Sequence, residues 1–331
     1  FDDVLNVAIV GPRAYFGSSV DHRVYCVDLS TGREQWSFFT DGPIRLAPTV
    51  ANGKLYVGSD DGVAYCLNAS NGKLIWKLRA GPHDERILAR GRMISRWPIR
   101  SSVLIDDGIA YFGAGTFPHE NVYLYAVNAD TGKVIWRNDA LSQKDAGRND
   151  FTPQGYMLAS KETLFVPSGR ALSAAFRKAT GEMFNKPSPG WRSTAGGQIG
   201  GTEAFLADGQ IYAVGEHQVL AMDQERGKTG FGWFHGRQMT LADDMGYMAN
   251  GKEIVAIDRV KHAEGTRTRH KIEGEIDLLN RSLRTHPAKK DLANVRSAQS
   301  KLKSAQAKLK QLSSAGKTGT AEHKTAEAEV A

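Results

Sequence analysis

Cysteine is nearly missing from this 331-residue chain, in which Cys26 and Cys66 are the only two. No Cys-x-x-Cys spacing, His-Glu-x-x-His helix or EF-hand loop occurs, so no metal site is signalled. No run approaches the roughly 20 apolar residues that a membrane-spanning helix needs. The stretch Phe1-Asp-Asp3 shows no signal peptide, which fits a cytosolic protein or a processed, exported one. Catalytic patterning is equally sparse. His119, His217 and His235 stand alone in sequence, and spacing singles out no Ser-His-Asp or paired-carboxylate arrangement. Gly196, Gly197, Gly200 and Gly201 do not sit between a strand and a helix, which argues against a phosphate loop and for bulges or close strand approach.

What the chain has is a repeat. Asp28-Leu-Ser-Thr-Gly32-Arg-Glu-Gln-Trp36 returns as Asn68-Ala-Ser-Asn-Gly72-Lys-Leu-Ile-Trp76 and as Asn128-Ala-Asp-Thr-Gly132-Lys-Val-Ile-Trp136. The spacing suits a four-stranded sheet repeated around an axis, which predicts an all-β fold, a β-propeller. Within each copy an alternating run such as Arg23-Val-Tyr-Cys-Val27 reads as a strand. The Asp or Asn after it hydrogen-bonds the backbone, and Gly32, Gly72 and Gly132 supply the left-handed turn. Trp36, Trp76 and Trp136 then read as structural plates between neighbouring blades, each burying roughly 150–250 Å². Cys26 and Cys66 hold equivalent places in successive copies, too far apart for the Cα separation of about 7 Å that a disulfide tolerates, so two free buried thiols are expected.

Degenerate copies follow at Leu164-Phe-Val-Pro167 with Ala179-Thr-Gly181, and at Ile211-Tyr-Ala-Val214 with Ala221-Met-Asp223. In both, the Trp position is lost or filled by Phe231. A sixth copy, Met245-Gly-Tyr-Met-Ala249 to Glu253-Ile-Val-Ala-Ile-Asp258, fails to turn. About six blades are therefore visible, the last incomplete. From about His270 the pattern changes, and Leu292, Val295, Ala298, Leu302, Ala305, Leu309 and Leu312 step by three and four as a helical stripe does. Ile272, Ile276, Leu279 and Leu283 form a shorter stripe before His286-Pro287. The organisation expected is a propeller over 1–261, an α-helical hairpin arm over 262–313 and a flexible polar tail over 314–331.

An interrupted blade leaves an unpaired edge. The missing strands are expected beyond Ala331, on a second chain, or in a region lost by cleavage; the alternative is that the helices simply cap a six-bladed or open propeller. The net charge of +7 is concentrated in 262–331, which hold 14 Lys and Arg against 8 Asp and Glu. Lys301, Lys303, Lys308 and Lys310 lie off the apolar stripe and aromatic stacking residues are absent there, so nucleic acid is not expected as a partner.

The Asp/Asn-x-x-Thr/Asn-Gly-Lys/Arg-x-x-Trp element at 28–36, 68–76 and 128–136 resembles the tryptophan-docking motif of the PQQ-type β-propeller repeat family, and the likeness covers residues 4 to 261. That family includes quinoprotein alcohol dehydrogenases and the propeller lipoprotein of the outer-membrane barrel-assembly machinery. The resemblance implies a bacterial periplasmic or extracytoplasmic location. Its enzyme branch implies PQQ with Ca²⁺, a vicinal Cys-Cys pair, and an Asp as general base. This chain has no vicinal cysteines and its acidic residues match no catalytic motif, so no catalytic residue is assigned and the expected cofactor is none.

Binding surfaces are readable in outline. Twenty extra residues between the second and third copies hold Arg86, Arg90, Arg92, Arg96 and Trp97, with Arg100 just beyond. Arginine pairs bidentately with carboxylates and phosphates, so this long loop is either an anionic-ligand or partner site or a loop stapled by its own salt bridges. Arg170, Trp191 and Arg192 mark a second candidate surface. The function expected is a non-catalytic binding or assembly scaffold that engages protein partners in a larger complex. The alternative is a PQQ-dependent dehydrogenase domain or redox-complex subunit, and a weaker third reading is a polysaccharide or small-ligand sensor.

Overall fold

The computed structural model describes residues 6–89, 91–116, 120–141, 151–168, 171–185, 203–214, 218–223, 232–285 and 292–314. The chain forms two compact units, residues 1–206 with 213–218 and residues 207–212 with 219–331. Each sequence copy makes one antiparallel sheet with its strands in chain order, as a propeller blade does. The first sheet is Ala8–Val10, Arg13–Gly17, Arg23–Asp28 and Glu34–Phe39; the second is Thr49–Ala51, Lys54–Gly58, Val63–Asn68 and Leu74–Arg79. The third is Leu104–Asp106, Ile109–Ala114, Tyr123–Asn128 and Val134–Asn138, and the fourth holds Leu158–Ala159, Thr163–Ser168, Ala171–Arg177 and Met183–Asn185. Glu203–Ala207, Gln210–Val214, Gln218–Asp223 and Gly232–His235 make the fifth. The sixth has three strands, Gln238–Ala242, Met245–Ala249 and Ile254–Asp258. Arg100–Ser101 and Gln154–Gly155 join the fourth sheet in parallel, an addition the repeat pattern does not show.

The repeated turn does two jobs. Asp28 Oδ1 accepts the amides of Ser30 at 3.0 Å and Thr31 at 2.9 Å, and Asn68 and Asn128 cap their turns in the same way. The turn closes on a glycine with positive φ, +70° at Gly72 and +71° at Gly132. That glycine is also the seat of the preceding sheet's tryptophan. A Cβ on Gly72 would lie 2.6 Å from Trp36, one on Gly132 2.8 Å from Trp76, and one on Gly181 2.5 Å from Trp136. Three residues before each glycine, a backbone carbonyl accepts the indole N–H. Trp36 donates to Ala69 at 3.2 Å, Trp76 to Ala129 at 2.8 Å and Trp136 to Lys178 at 3.0 Å. Tyr15 and Tyr56 hydroxyls donate to the same Ala69 and Ala129 carbonyls. Around these docks lie the apolar clusters, one holding Tyr15, Cys26, Trp36, Leu55 and Tyr65 and another Tyr56, Cys66, Trp76, Phe112 and Tyr125. Both cysteines are buried and free.

After Asp258 the repeat pattern breaks. The fourth position after Asp28, Asn68 and Asn128 is glycine, whereas the fourth after Asp258 is His262. Asp258 Oδ1 still accepts an amide three residues on, from Lys261 at 3.0 Å, but that bond now caps a helix. Helix α1 runs Arg259–Thr285 and α2 runs Leu292–Ser314. The apolar stripe suggested a start near His270, and the helix begins eleven residues earlier. Its buried positions there are Arg259, Ala263, Thr266 and His270, a helical spacing in which only Ala263 is apolar. Residues 286–291 and 315–331, with the expected proline start and polar tail, lie outside the described residues. No helix among the described residues is long and apolar enough to cross a membrane.

Gly132→Ala should cost about 2–4 kcal/mol, the sum of left-handed strain and the clash with Trp76. Gly108→Ala, at φ +72° with nothing within 4 Å of the added carbon, should cost only about 1–2 kcal/mol. Urea denaturation of the two variants beside the parent checks the difference.

Candidate functional site

The charged centre of the first unit is a carboxylate held between two arginines. Pro43-Ile44-Arg45 and Pro98-Ile99-Arg100 occupy matching connections that lead into the second and third sheets. Ile44 lies against Gly17 and Ile99 against Gly58, so closely that a Cβ on either glycine would fall 2.2 or 2.3 Å from the isoleucine methyl. Each isoleucine thus brings the arginine after it over the Ser59–Gly62 turn. Arg45 Nε donates to Asp60 Oδ2 at 2.7 Å; Arg100 Nε donates to Oδ1 at 2.9 Å and Nη2 to Oδ2 at 3.1 Å. Asp60 has 0% side-chain exposure, against 33% and 22% for Arg45 and Arg100. Backbone bonds strap the turn from both sides: Asp60 N to Pro43 O, Ser95 N to Asp60 O and Ile99 N to Ser59 O.

Asp61, next in the chain, is buried with different partners. It accepts the Tyr65 hydroxyl at 2.6 Å and the amides of Val63 and Asp41 at 2.8 and 2.9 Å. Burial raises its pKa above the ordinary carboxylate value although these hydrogen bonds pull it down. The same burial pushes the Tyr65 hydroxyl up. The partly exposed edges of Arg45 and Arg100 are chemically suited to a carboxylate or phosphate.

The twenty-residue segment predicted as a loop contains a hairpin, Arg86–Ala89 paired with Arg92–Ser95. A long apolar-and-basic insertion carries no turn signature strong enough to show this, and alternation over four residues is too short to weigh. Ile94 packs inward, while Leu88 and Met93, directly opposite each other, are exposed. The arginines are engaged within the chain. Arg86 reaches Asp84 at 3.4 Å and Asp41 at 3.8 Å; Arg92 donates to the carbonyls of Ser19 and Val20. Arg96 is held between Glu85 and Glu120, the latter at 2.9 Å. Trp97 is a buried wedge: it lies over Gly81, donates Nε1–H to Glu120 O at 2.8 Å and meets the edges of His83 and Tyr123. Arg100 belongs to the Asp60 clamp. Arg90, Arg170, Trp191 and Arg192, with His119 and His217, lie outside the described residues. Arg45, Asp60, Asp61 and Tyr65 were not singled out from sequence; the doubled Pro-Ile-Arg was the signal available.

A PQQ-type family model described as outer membrane protein assembly factor BamB matches residues 6–112 and 120–267. The chain belongs to that family. Among curated relatives, tetrathionate hydrolase of Acidithiobacillus ferrooxidans is 27% identical over 130 residues, 39% of this chain and 22% of that protein. The dehydrogenase subunit of the quinone alcohol dehydrogenase of Gluconobacter oxydans is 32% identical over 129 residues, 35% of this chain and 16% of that protein. The chain therefore spans less than a quarter of either relative. Among solved structures, the quinohemoprotein alcohol dehydrogenase of Comamonas testosteroni aligns at TM-score 0.50 and 18% identity, over 78% of this chain and 46% of that one. At that identity the likeness speaks for the propeller fold alone.

Replacing Asp60 with Ala leaves two arginines facing each other without their carboxylate and should cost about 3 kcal/mol in chemical denaturation. Arg86→Ala, at an exposed pair, should stay within about 1 kcal/mol of the parent.

Proposed function

We propose that the chain is a non-catalytic binding or assembly scaffold of an extracytoplasmic compartment, using a sheet surface of the propeller and the helical arm to engage protein partners. The observation that carries this reading is the arm. Leu279, Ser282 and Leu283 of α1 and Ala298, Lys301, Leu302 and Ala305 of α2 line an open apolar groove, and Leu278 beside it is well exposed. An exposed apolar surface on paired helices is the kind of surface that partners cover. The family's description as an assembly factor agrees with it. The partly exposed arginine edges at Asp60 add a sheet surface suited to an acidic partner.

A redox reading is favoured by one observation, the relatives named as quinone alcohol dehydrogenases. The cysteines lie on separate sheets as buried free thiols, not as a vicinal pair. Among the described residues no group of three or more His, Cys, Asp or Glu side chains could hold an ion. Support for the quinone reading therefore comes from the relatives rather than from a donor set among the described residues.

Leu283→Glu with Leu302→Glu places charge in the groove. Cross-linking of natively purified protein should lose its partner bands in this variant while the thermal midpoint of the sheets is unchanged; retained bands would remove the arm from the binding role. Titration with PQQ and Ca²⁺ followed by gel filtration separates the second reading. Quinone absorbance retained near one per chain would move the redox role to the front, and absorbance eluting entirely free leaves the scaffold.

A further inference from the structure

The first two sheets share a turn in which one residue differs in kind. Between the second and third strands each turn ends on a residue with positive φ, +61° at His22 and +81° at Gly62. Its carbonyl accepts the amide just after the fourth strand, from Thr40 in the first sheet and Ala80 in the second. The residue before it accepts a tyrosine hydroxyl from four positions on, Tyr25 to Asp21 and Tyr65 to Asp61. Glycine takes this backbone without steric cost, whereas the Cβ of a histidine is strained there. Strain of this kind persists where the surroundings hold the side chain in place.

The surroundings of His22 are the inserted hairpin. Arg92 Nη1 lies 3.3 Å from His22 Nε2, and the same nitrogen donates to the carbonyls of Val20 at 3.2 Å and of Ser19. A neutral imidazole with its proton on Nδ1 accepts the guanidinium N–H at Nε2. An imidazolium has no lone pair there and sets one cation against another. Three carboxylates favour the charged ring, Asp21 on its own turn and Asp60 and Asp61 on the turn of the second sheet. Each is already engaged: Asp21 accepts from Tyr25, Asp60 from Arg45 and Arg100, and Asp61 from Tyr65 and two amides. Burial, and after it Arg92, outweigh them, so the imidazole titrates below its ordinary value.

We propose that His22 and Arg92 form a pH-operated latch, which fastens the hairpin of Arg86–Ala89 and Arg92–Ser95 to the first sheet while the imidazole is neutral and releases it when the imidazole takes up a proton. The folded-state value lies below that of the unfolded chain, so the contact is complete above about pH 6.5 and is lost as the pH falls through the lowered value. The hairpin keeps its other ties, Ser95 N to Asp60 O and Arg86 to Asp41, so release frees one side of it. The side freed belongs to the element that carries the exposed pair Leu88 and Met93. The helical arm plays no part in this latch, which stands whether or not α1 and α2 engage a partner.

Hydrogen exchange of the full chain, corrected for the intrinsic rate at each pH, reads the latch. Between about pH 7.5 and about pH 5 the amides of Arg86–Ala89 and Arg92–Ser95 should lose about fivefold or more of their protection, while those of Val63–Asn68 keep theirs. His22→Asn suits the left-handed backbone but has no ring to protonate, and its hairpin protection should be the same at both pH values. Arg92→Gln should leave the hairpin weakly protected at both. By NMR the His22 imidazole, identified by its loss in His22→Asn, should titrate below about 6.5. A fall in protection that persists in His22→Asn would assign the effect to Asp61 and overturn the latch. Unchanged hairpin protection in the parent, or an imidazole that titrates at or above the ordinary value, would overturn it as well.

Discussion

The structure depends on one small dock: a capped turn whose glycine seats the tryptophan of the preceding sheet while a carbonyl of the same turn takes the indole N–H. Both halves need the backbone conformation of this turn, which Asp28, Asn68 and Asn128 cap and which Arg177–Gly181 adopts without such a cap, and only glycine combines positive φ with room for the ring. Ala69 O serves Trp36 and Tyr15 together, and Ala129 O serves Trp76 and Tyr56, so each turn satisfies two buried donors at once. The large aromatic area gives the sheets their adhesion, and the shared carbonyl gives them their register.

At the fifth and sixth copies the dock is dismantled consistently. His262 stands where the glycine would be and meets Phe234 of the fifth sheet edge-on at 5.3 Å. The carbonyl that the repeat would offer to Tyr212 belongs to Arg259, inside the first turn of α1, where helical bonding along the axis claims it. Accordingly the Tyr212 hydroxyl is buried with no hydrogen-bond partner among the described residues, an omission worth about 1–3 kcal/mol, and so is His262 Nδ1. With no carbonyl free to accept an indole N–H, a phenyl ring there loses nothing.

Sheets one to three were legible residue by residue, because their spacing is fixed by the dock and every part of it is a distinctive residue type. The sixth copy was legible as a failure to turn. The start of α1 was not, since Arg259, Ala263, Thr266 and His270 bury a helical stripe in which alanine is the only apolar residue. The candidate site was legible only as a density of arginines. Charge in a sequence does not say which partner it meets, and Asp84, Glu85, Asp60 and Glu120 take up the arginines that looked free. Arg45 escaped notice because its partner is 15 residues away in a turn of the next sheet, and only the fold brings the two together.

The arm's attachment follows from the same turn chemistry. A side-chain oxygen that accepts an amide three residues on is common to the repeat's hairpin turn and to a helix N-terminus, so one cap serves either path. The choice falls to the residue four positions on: glycine turns the chain back, and a histidine that helical φ suits lets it continue. Because the Asp258 cap is kept, the arm begins on a fixed base. Arg259 donates to Asp208 at 2.5 Å and to the carbonyls of Met245 and Asp243, which ties the first turn of α1 to two hairpin turns of its own unit. A helix held by a buried guanidinium and a capping carboxylate cannot pivot freely at its root. The geometry of the sixth sheet is therefore carried into α1.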